Sequence, residues 1–352
     1  MAETVLLVMF VAAVLYAVLG GADFGAGVIE PFVPRRERVD VALAPVWEAN
    51  HVWLILVVVL AFVAFPPLYA VLSTYLHLPL LLVLLGIVVR GTAFTFRHYD
   101  PAPTWSSGYT LAFRFASMLT PLFLGISVAA LANGRLPNDP TGGFYDTYIA
   151  PWNTFFCWAT GLFTCALFAF EGAVLLASES TWHPASLTTS EDAAERQRWR
   201  RIVRFTHLAA IFSGAVVLWA ATVEATPWAA ALWRSPFALA AIAIATALVA
   251  VTPWAFHRRR PWLLRLGMGA QATCILGGFA AAQAPALVQL EGGALTLAEA
   301  AAPDATLRTM LWALGFGLLI ILPSVSYLIY VYKGGPSPTA PRPAPTQNSP
   351  RR

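Results

Sequence analysis

Trp47-Glu48-Ala49-Asn50-His51-Val52-Trp53 sets a carboxylate, an amide and an imidazole at the mouth of an apolar run that continues Leu54-Ile55-Leu56-Val57-Val58-Val59-Leu60. The run lacks strand alternation and, taken through Pro67, approaches the about 20 residues a helix needs to cross a hydrocarbon layer roughly 30 Å thick. Lipid offers no partner to an open backbone, so such a run reads as a helix. Ionisable groups within it are costly, about 3 kcal/mol each even on lenient scales, and mark places where ions, protons or cofactors are handled.

Composition extends that reading to the whole chain. Of 352 residues, 58% are hydrophobic and only 11% charged, with a mean hydropathy of +0.66, which excludes a soluble fold and implies an all-α integral membrane protein. Spans are expected at about 4–24, 47–67, 74–96, 112–132, 154–177, 204–224, 235–256, 262–287 and 308–332, about nine transmembrane helices. The first run has no basic n-region and flows into Gly21-Ala22-Asp23 without a small-residue cleavage site, so it reads as a mature helix.

Basic residues orient the spans. Arg35, Arg36 and Arg38 follow span 1; Arg97 and Arg114 flank the loop after span 3; Arg196, Arg198, Arg200, Arg201 and Arg204 precede span 6. Arg258, Arg259, Arg260 and Arg265 lie between spans 7 and 8, and Lys333, Arg342, Arg351 and Arg352 follow span 9. The opposite loops carry Asp139, Asp146, Glu224, Glu291, Glu299 and Asp304 against Arg135, Arg234 and Arg308. The N-terminus is therefore expected outside and the C-terminus in the cytoplasm, across a cell inner membrane. The pI near 9.1 then follows from topology and anionic headgroups, with no nucleic acid needed.

Residues 1–178 are expected to hold an N-terminal four-helix bundle, with the second half starting in the span from about 154. Residues 179–203 read as a cytoplasmic loop, 204–333 as the remaining helices and 334–352 as a disordered Pro-rich tail. A faint internal repeat supports the halves: Gly-Ala-Asp23-Phe-Gly-Ala-Gly in span 1 against Ala-Phe-Glu171-Gly-Ala in span 5. Cys157, Cys165 and Cys274 lie in apolar spans with no metal-site spacing. Cys157 and Cys165 stand about 12 Å apart along one helix, beyond disulfide reach, and read as packing residues.

Trp47, Asn50 and His51 share one helix face, and Glu48 reaches His51 three residues on. Pro45 suits a first turn, where the macrodipole favours an anion at Glu48 while burial disfavours it. Such opposition suits a group that loads and releases a proton; a plain pairing of Glu48 with His51 or loop arginines is the alternative. Asp23, Glu48 and Arg90 are expected at one depth, Arg90 balancing an acid and Asp23 either carrying protons or stabilising a glycine-rich turn at the helix end. Glu171, deep in span 5, needs a partner, with Arg204 and His207 the candidates. His51 and His207 offer the only conceivable bis-histidine haem site; His77 lies near the other surface.

The order Gly-Ala-Asp23-Phe-Gly-Ala-Gly, then Ala-Pro-Val-Trp47-Glu-Ala-Asn-His-Val-Trp53-Leu-Ile, Phe65-Pro-Pro and Val-Val-Arg90-Gly resembles subunit II of cytochrome bd-type quinol oxidases. Leu-Thr-Leu-Ala-Glu299 and Ala-Pro-Asp304-Ala-Thr-Leu-Arg308 also look like that family, and the resemblance runs from about residue 1 to 335. Some members carry Asp and Gln where this chain has Glu48 and His51, and often His where it has Glu171. The resemblance implies two four-helix bundles plus a peripheral helix. It also implies a haem-bearing partner, subunit I, with haem b and haem d on that partner and none on this chain. A small accessory subunit, contact with quinol and lipid, and a bound quinone near Trp47, Asn50 and Arg90 belong to the same expectation. Function follows as quinol-driven reduction of dioxygen to water, with Glu48, Asp23 and His51 on a cytoplasmic proton path. A secondary transporter and a self-sufficient cytochrome b-like haem protein are the alternatives.

Overall fold

The computed structural model describes residues 1–33, 47–99, 106–140, 142–180, 190–258 and 260–334. Arg35, Arg36, Arg38 and the expected tail beyond residue 334 lie outside them. Among the described residues eight helices are long and apolar enough to cross a membrane, or nine with one bent pair taken as a single span.

Span 1 runs from Ala2 to Phe32 as α1 (Ala2–Leu15), a π turn (Tyr16–Gly20), α2 (Gly21–Ile29) and a final 3-10 turn. The glycine-rich stretch expected to end the helix instead continues it. Its glycines are contact points: a Cβ at Gly25 would strike the Phe168 carbonyl, and one at Gly172 would strike the Ala26 backbone. The Gly21-xxx-Gly25 spacing thus lets two backbones approach, as small residues do between membrane helices.

α3 (Trp47–Ala64) ends where Pro66 and Pro67 withdraw two backbone donors, and α4 (Pro66–Tyr75) leaves at 114°. The Ala64 carbonyl at this break accepts from Ala302 N at 2.8 Å. α5 (His77–Tyr99) and α6 (Ser106–Ala130) follow, then α7 (Phe155–Ser180). α7 is the central helix, touching α2, α6 and the next helix, α8 (Ser190–Val223). α8 begins 14 residues before the expected start at 204. Good helix formers extend it and Trp199, 2% exposed, anchors the extension in the core.

Span 7 is split into α9 (Pro236–Leu248) and α10 (Val251–His257), and α11 (Pro261–Gln283) stops short of the expected 287. There the chain turns into a hairpin, β1 (Ala286–Leu290) antiparallel to β2 (Gly293–Thr296), tied to the loop after α6 through Gln289 N to Leu131 O at 2.8 Å. α12 (Asp304–Gly334) completes the chain. Residues Met1–Met310 form one compact unit and Leu311–Arg352 a second. Within the first, α7, α8, α9 and α11 pack as one group of four helices, while α2, α5 and α6 assemble on the other side of α7.

Candidate functional site

The polar centre lies where α2, α3, α5 and α6 meet. Asp23 and Arg90 are 1% and 2% exposed. Arg90 Nη2 donates to Asp23 Oδ1 at 2.7 Å and to the Asp23 carbonyl at 3.0 Å, and Nε donates to Ser117 Oγ at 3.2 Å. The guanidinium also lies over Phe24 and Phe113, 4.7 and 4.9 Å from their ring centroids. A buried charge is tolerated when paired and hydrogen-bonded in this way, and Arg offers enough donors for all three partners.

Seven residues further along both helices the arrangement repeats. Arg97 Nη1 donates to Glu30 Oε1 and Oε2 at 3.1 and 3.0 Å, and Arg114 Nη2 stands 3.5 Å from Glu30 Oε1. Arg97 approaches the Phe113 centroid to 4.3 Å, so that one ring serves both arginines. Acids at 23 and 30 and arginines at 90 and 97 lie two turns apart on each helix, which makes a two-rung ladder between parallel spans 1 and 3. Reading the sequence for single motifs missed Glu30; the matched i,i+7 spacing of acid and arginine was the available signal.

α3 adds Asn50, 1% exposed, whose Nδ2 donates to the Leu19 carbonyl at 3.2 Å. That carbonyl belongs to the π turn, where the ordinary helical bonding is shifted. His51 faces Tyr16 and Phe24 with centroids at 6.4 and 6.3 Å. Tyr16 OH, Asp23 Oδ2, Asn50 Oδ1 and His51 Nδ1 have no hydrogen-bond partner among the described residues. Three unpartnered side-chain atoms on Tyr16, Asn50 and His51 therefore join the free Asp23 Oδ2 at the polar centre, and the phenol, the carboxylate and the imidazole are groups able to accept or relay a proton. Trp47 and Glu48 open α3, but their side chains lie outside the described ones.

Glu171 corrects an expectation. It is fully buried and neither carboxyl oxygen meets a partner among the described residues, so neither Arg204 nor His207 pairs with it. Its Oε2 lies against Gly21 beside Phe168. His207 instead stacks on Phe170 at 4.1 Å and meets Gln271 at 3.2 Å. His51, by contrast, is flanked by Tyr16 and Phe24. No group of three His, Cys, Asp or Glu residues suited to a metal ion occurs among the described residues, and Cys157, Cys165 and Cys274 are free thiols.

Cytochrome bd ubiquinol oxidase subunit 2 of Bacillus subtilis (strain 168) is 34% identical over 125 residues, 34% of this chain and 37% of that one. Cytochrome bd-I ubiquinol oxidase subunit 2 of Escherichia coli (strain K12) is 28% identical over 123 residues, 34% of this chain and 32% of that one. The matched segment thus spans about a third of the length of these curated relatives. The fold matches a chain of the bd oxidase from Geobacillus thermodenitrificans with a TM-score of 0.73 at 18% identity, covering 95% of this chain and 99% of that one. The family model described as cytochrome bd terminal oxidase subunit II matches residues 1–332, and the chain belongs to that family.

Proposed function

We propose that the chain is the non-haem subunit II of a quinol:dioxygen oxidoreductase, and that its polar centre carries protons toward the site where a partner subunit reduces dioxygen to water. The observation behind this reading is the set of unpartnered buried atoms on Tyr16, Asp23, Asn50 and His51 around the Asp23–Arg90 pair. Arg90 fixes one Asp23 oxygen and leaves the other, Oδ2, to accept a proton. His51 and Tyr16, each able to donate and accept, supply the neighbouring steps, and Glu48, two and three residues before Asn50 and His51, is the entry group. Arg90 keeps Asp23 oriented and balances its charge.

The transporter and cytochrome b-like readings lose their support to the family match over residues 1–332. Haem b and haem d are assigned to the partner, subunit I, as membership of the family implies. Contact with quinol and lipid, a bound quinone near Trp47, Asn50 and Arg90, and a small accessory subunit belong to the same proposal. So does the orientation in a cell inner membrane, N-terminus outside and C-terminus in the cytoplasm, and so does the division at residues 179–203.

The test is isolation of the chain from its native membrane in gentle detergent, followed by an optical spectrum and quinol-driven oxygen uptake. Co-isolation of a haem-bearing partner with oxidase activity is expected. In that preparation Glu48→Gln slows oxygen uptake with haem content unchanged, and Asp23→Asn, which also weakens the fold, slows uptake per haem in whatever complex assembles. A colourless, inactive single chain overturns the subunit assignment; unchanged uptake in both variants overturns the proton route.

A further inference from the structure

Away from the polar centre, α7, α8, α9 and α11 enclose a cavity of about 340 Å³. Its length follows α8 from His207 to Leu218, about 16 Å by helical rise, which is close to the depth of one membrane leaflet, roughly 15 Å. Ala210, Gly214 and Ala245 leave the space open because their side chains are too small to fill it. One end is closed by aromatic rings, Trp228 stacked between Phe156 and Phe279. Ile211, Ala215 and Thr246 line the cavity and are also exposed, so it opens sideways between α8 and α9.

The other end is polar. His207 Nε2 stands 3.2 Å from Gln271 Oε1, and since a carbonyl oxygen only accepts, the imidazole donates this bond. The lining hydroxyls are occupied, Thr160 with the Phe156 carbonyl and Thr246 with the Ile242 carbonyl, both at 2.8 Å. The Gln271 amide nitrogen, on a residue 7% exposed, has no partner among the described residues. Toward the start of α8, Arg204 lies about one turn from His207 and Arg201 and Arg200 about two turns, and all three are exposed. None has an acid three or four residues before it, those positions being Arg196, Gln197, Arg198, Arg200 and Arg201. Positive charge therefore gathers at the polar end of an apolar slot one leaflet deep.

We infer that this cavity is an anionic phospholipid site, with one acyl chain lying along α8, its ester carbonyl accepting from the Gln271 amide and its phosphate held by Arg204 and its neighbours. The arginines favour a phospholipid over a neutral quinone, because a neutral headgroup leaves their charge unanswered. The inference does not depend on the proton route.

The test uses the chain in the assembly isolated from its native membrane. It is reconstituted in phosphatidylglycerol vesicles doped with phosphatidylglycerol bearing a photoactivatable diazirine in mid-chain, and the adducts are mapped by mass spectrometry. Adducts on Phe163, Leu167 or Ile275 are expected. Ala210→Phe, which fills the slot, and Gln271→Leu, which removes the carbonyl's donor, each lower them by about tenfold. The same probe built on phosphatidylcholine labels these residues less. Adducts confined to outward residues such as Phe212 and Phe237 overturn the inference, as does labelling unchanged by both substitutions. Equal labelling by the two headgroups removes the anionic assignment, and recovery of a tightly held quinone displaced by Ala210→Phe overturns the phospholipid.

Discussion

Arg90 Nη2 meets Asp23 Oδ1 at 2.7 Å, and both side chains are 2% exposed, so each answers a charge the other could not carry alone. Removing one partner strands the other in an apolar setting, at about 3–5 kcal/mol. Asp23→Asn and Arg90→Met are each expected to lower thermal stability strongly, while the double variant loses much less than the sum. A double-mutant cycle in detergent measures the coupling. Additive losses would mean that the pair contributes nothing as a pair.

Arg97 and Arg114 share Glu30 unequally. Arg97 is 3% exposed and holds both carboxylate oxygens, while Arg114 is 37% exposed and stands 3.5 Å away. Arg97→Gln is therefore expected to cost about 3 kcal/mol or more, and Arg114→Gln no more than about 1 kcal/mol, as for exposed pairs. Thermal unfolding of the two single variants decides it; a reversed order would place the weight on Arg114.

The crossing of α2 and α7 makes a different kind of claim, about backbone against backbone. At Gly25 and Gly172 an added Cβ meets a neighbouring carbonyl or amide that cannot turn aside. Gly25→Ala and Gly172→Ala are expected to deplete the folded protein in the membrane. At Gly277 the nearest atom is the Phe10 ring at 4.0 Å, and Ala there is tolerated or adds up to about 1 kcal/mol from helix propensity. Folded yield of the three variants, read by size-exclusion profile, is the comparison.

The two segments crossing here are those read in the sequence as a faint repeat, Gly-Ala-Asp23-Phe-Gly-Ala-Gly and Ala-Phe-Glu171-Gly-Ala. Spans were legible because apolar length is a property of the local chain. What that length cannot show is where a helix bends or continues: the break at Phe65 follows from two prolines, but the continuation of span 1 to Phe32 depends on α7 lying against its glycines. Arg90 was legible as a charge needing an acid, and Asp23 is the acid it meets. Glu171 was misjudged because a pairing rule looks for opposite charges along the helices, whereas its carboxyl is enclosed by Gly21 and Phe168. The His207–Gln271 pair was illegible, since nothing local links positions 64 residues apart.

Glu171 offers a clean separation of stability from function. Both carboxyl oxygens are buried without partners among the described residues, so the group carries a desolvation penalty that no hydrogen bond offsets. Glu171→Met removes it without stranding another group and is expected to raise stability by about 1–3 kcal/mol. If oxygen uptake by the assembled complex stays unchanged, Glu171 has no part in proton movement; a fall in uptake alongside greater stability assigns it one.

Outside the spans, Glu299 ties the turn before α12 to the end of the hairpin. Its Oε2 accepts from Thr296 N at 2.9 Å and from Thr296 Oγ1 at 2.8 Å, closing a capping box. The backbone bond first, and the hydroxyl second, hold its carboxyl below the ordinary glutamate value. A lowered value in the folded protein means that the bond's contribution is fully present above the unfolded value, about 4.3, and is lost as pH falls through the folded one. Amide exchange at Thr296, corrected for intrinsic rates, is therefore expected to show constant protection from neutral pH down to about pH 5 and weakening protection below about pH 4. In Glu299→Gln, whose amide oxygen accepts at every pH, the acid-dependent loss disappears. Persistence of the same loss in that variant would assign the titration to another group.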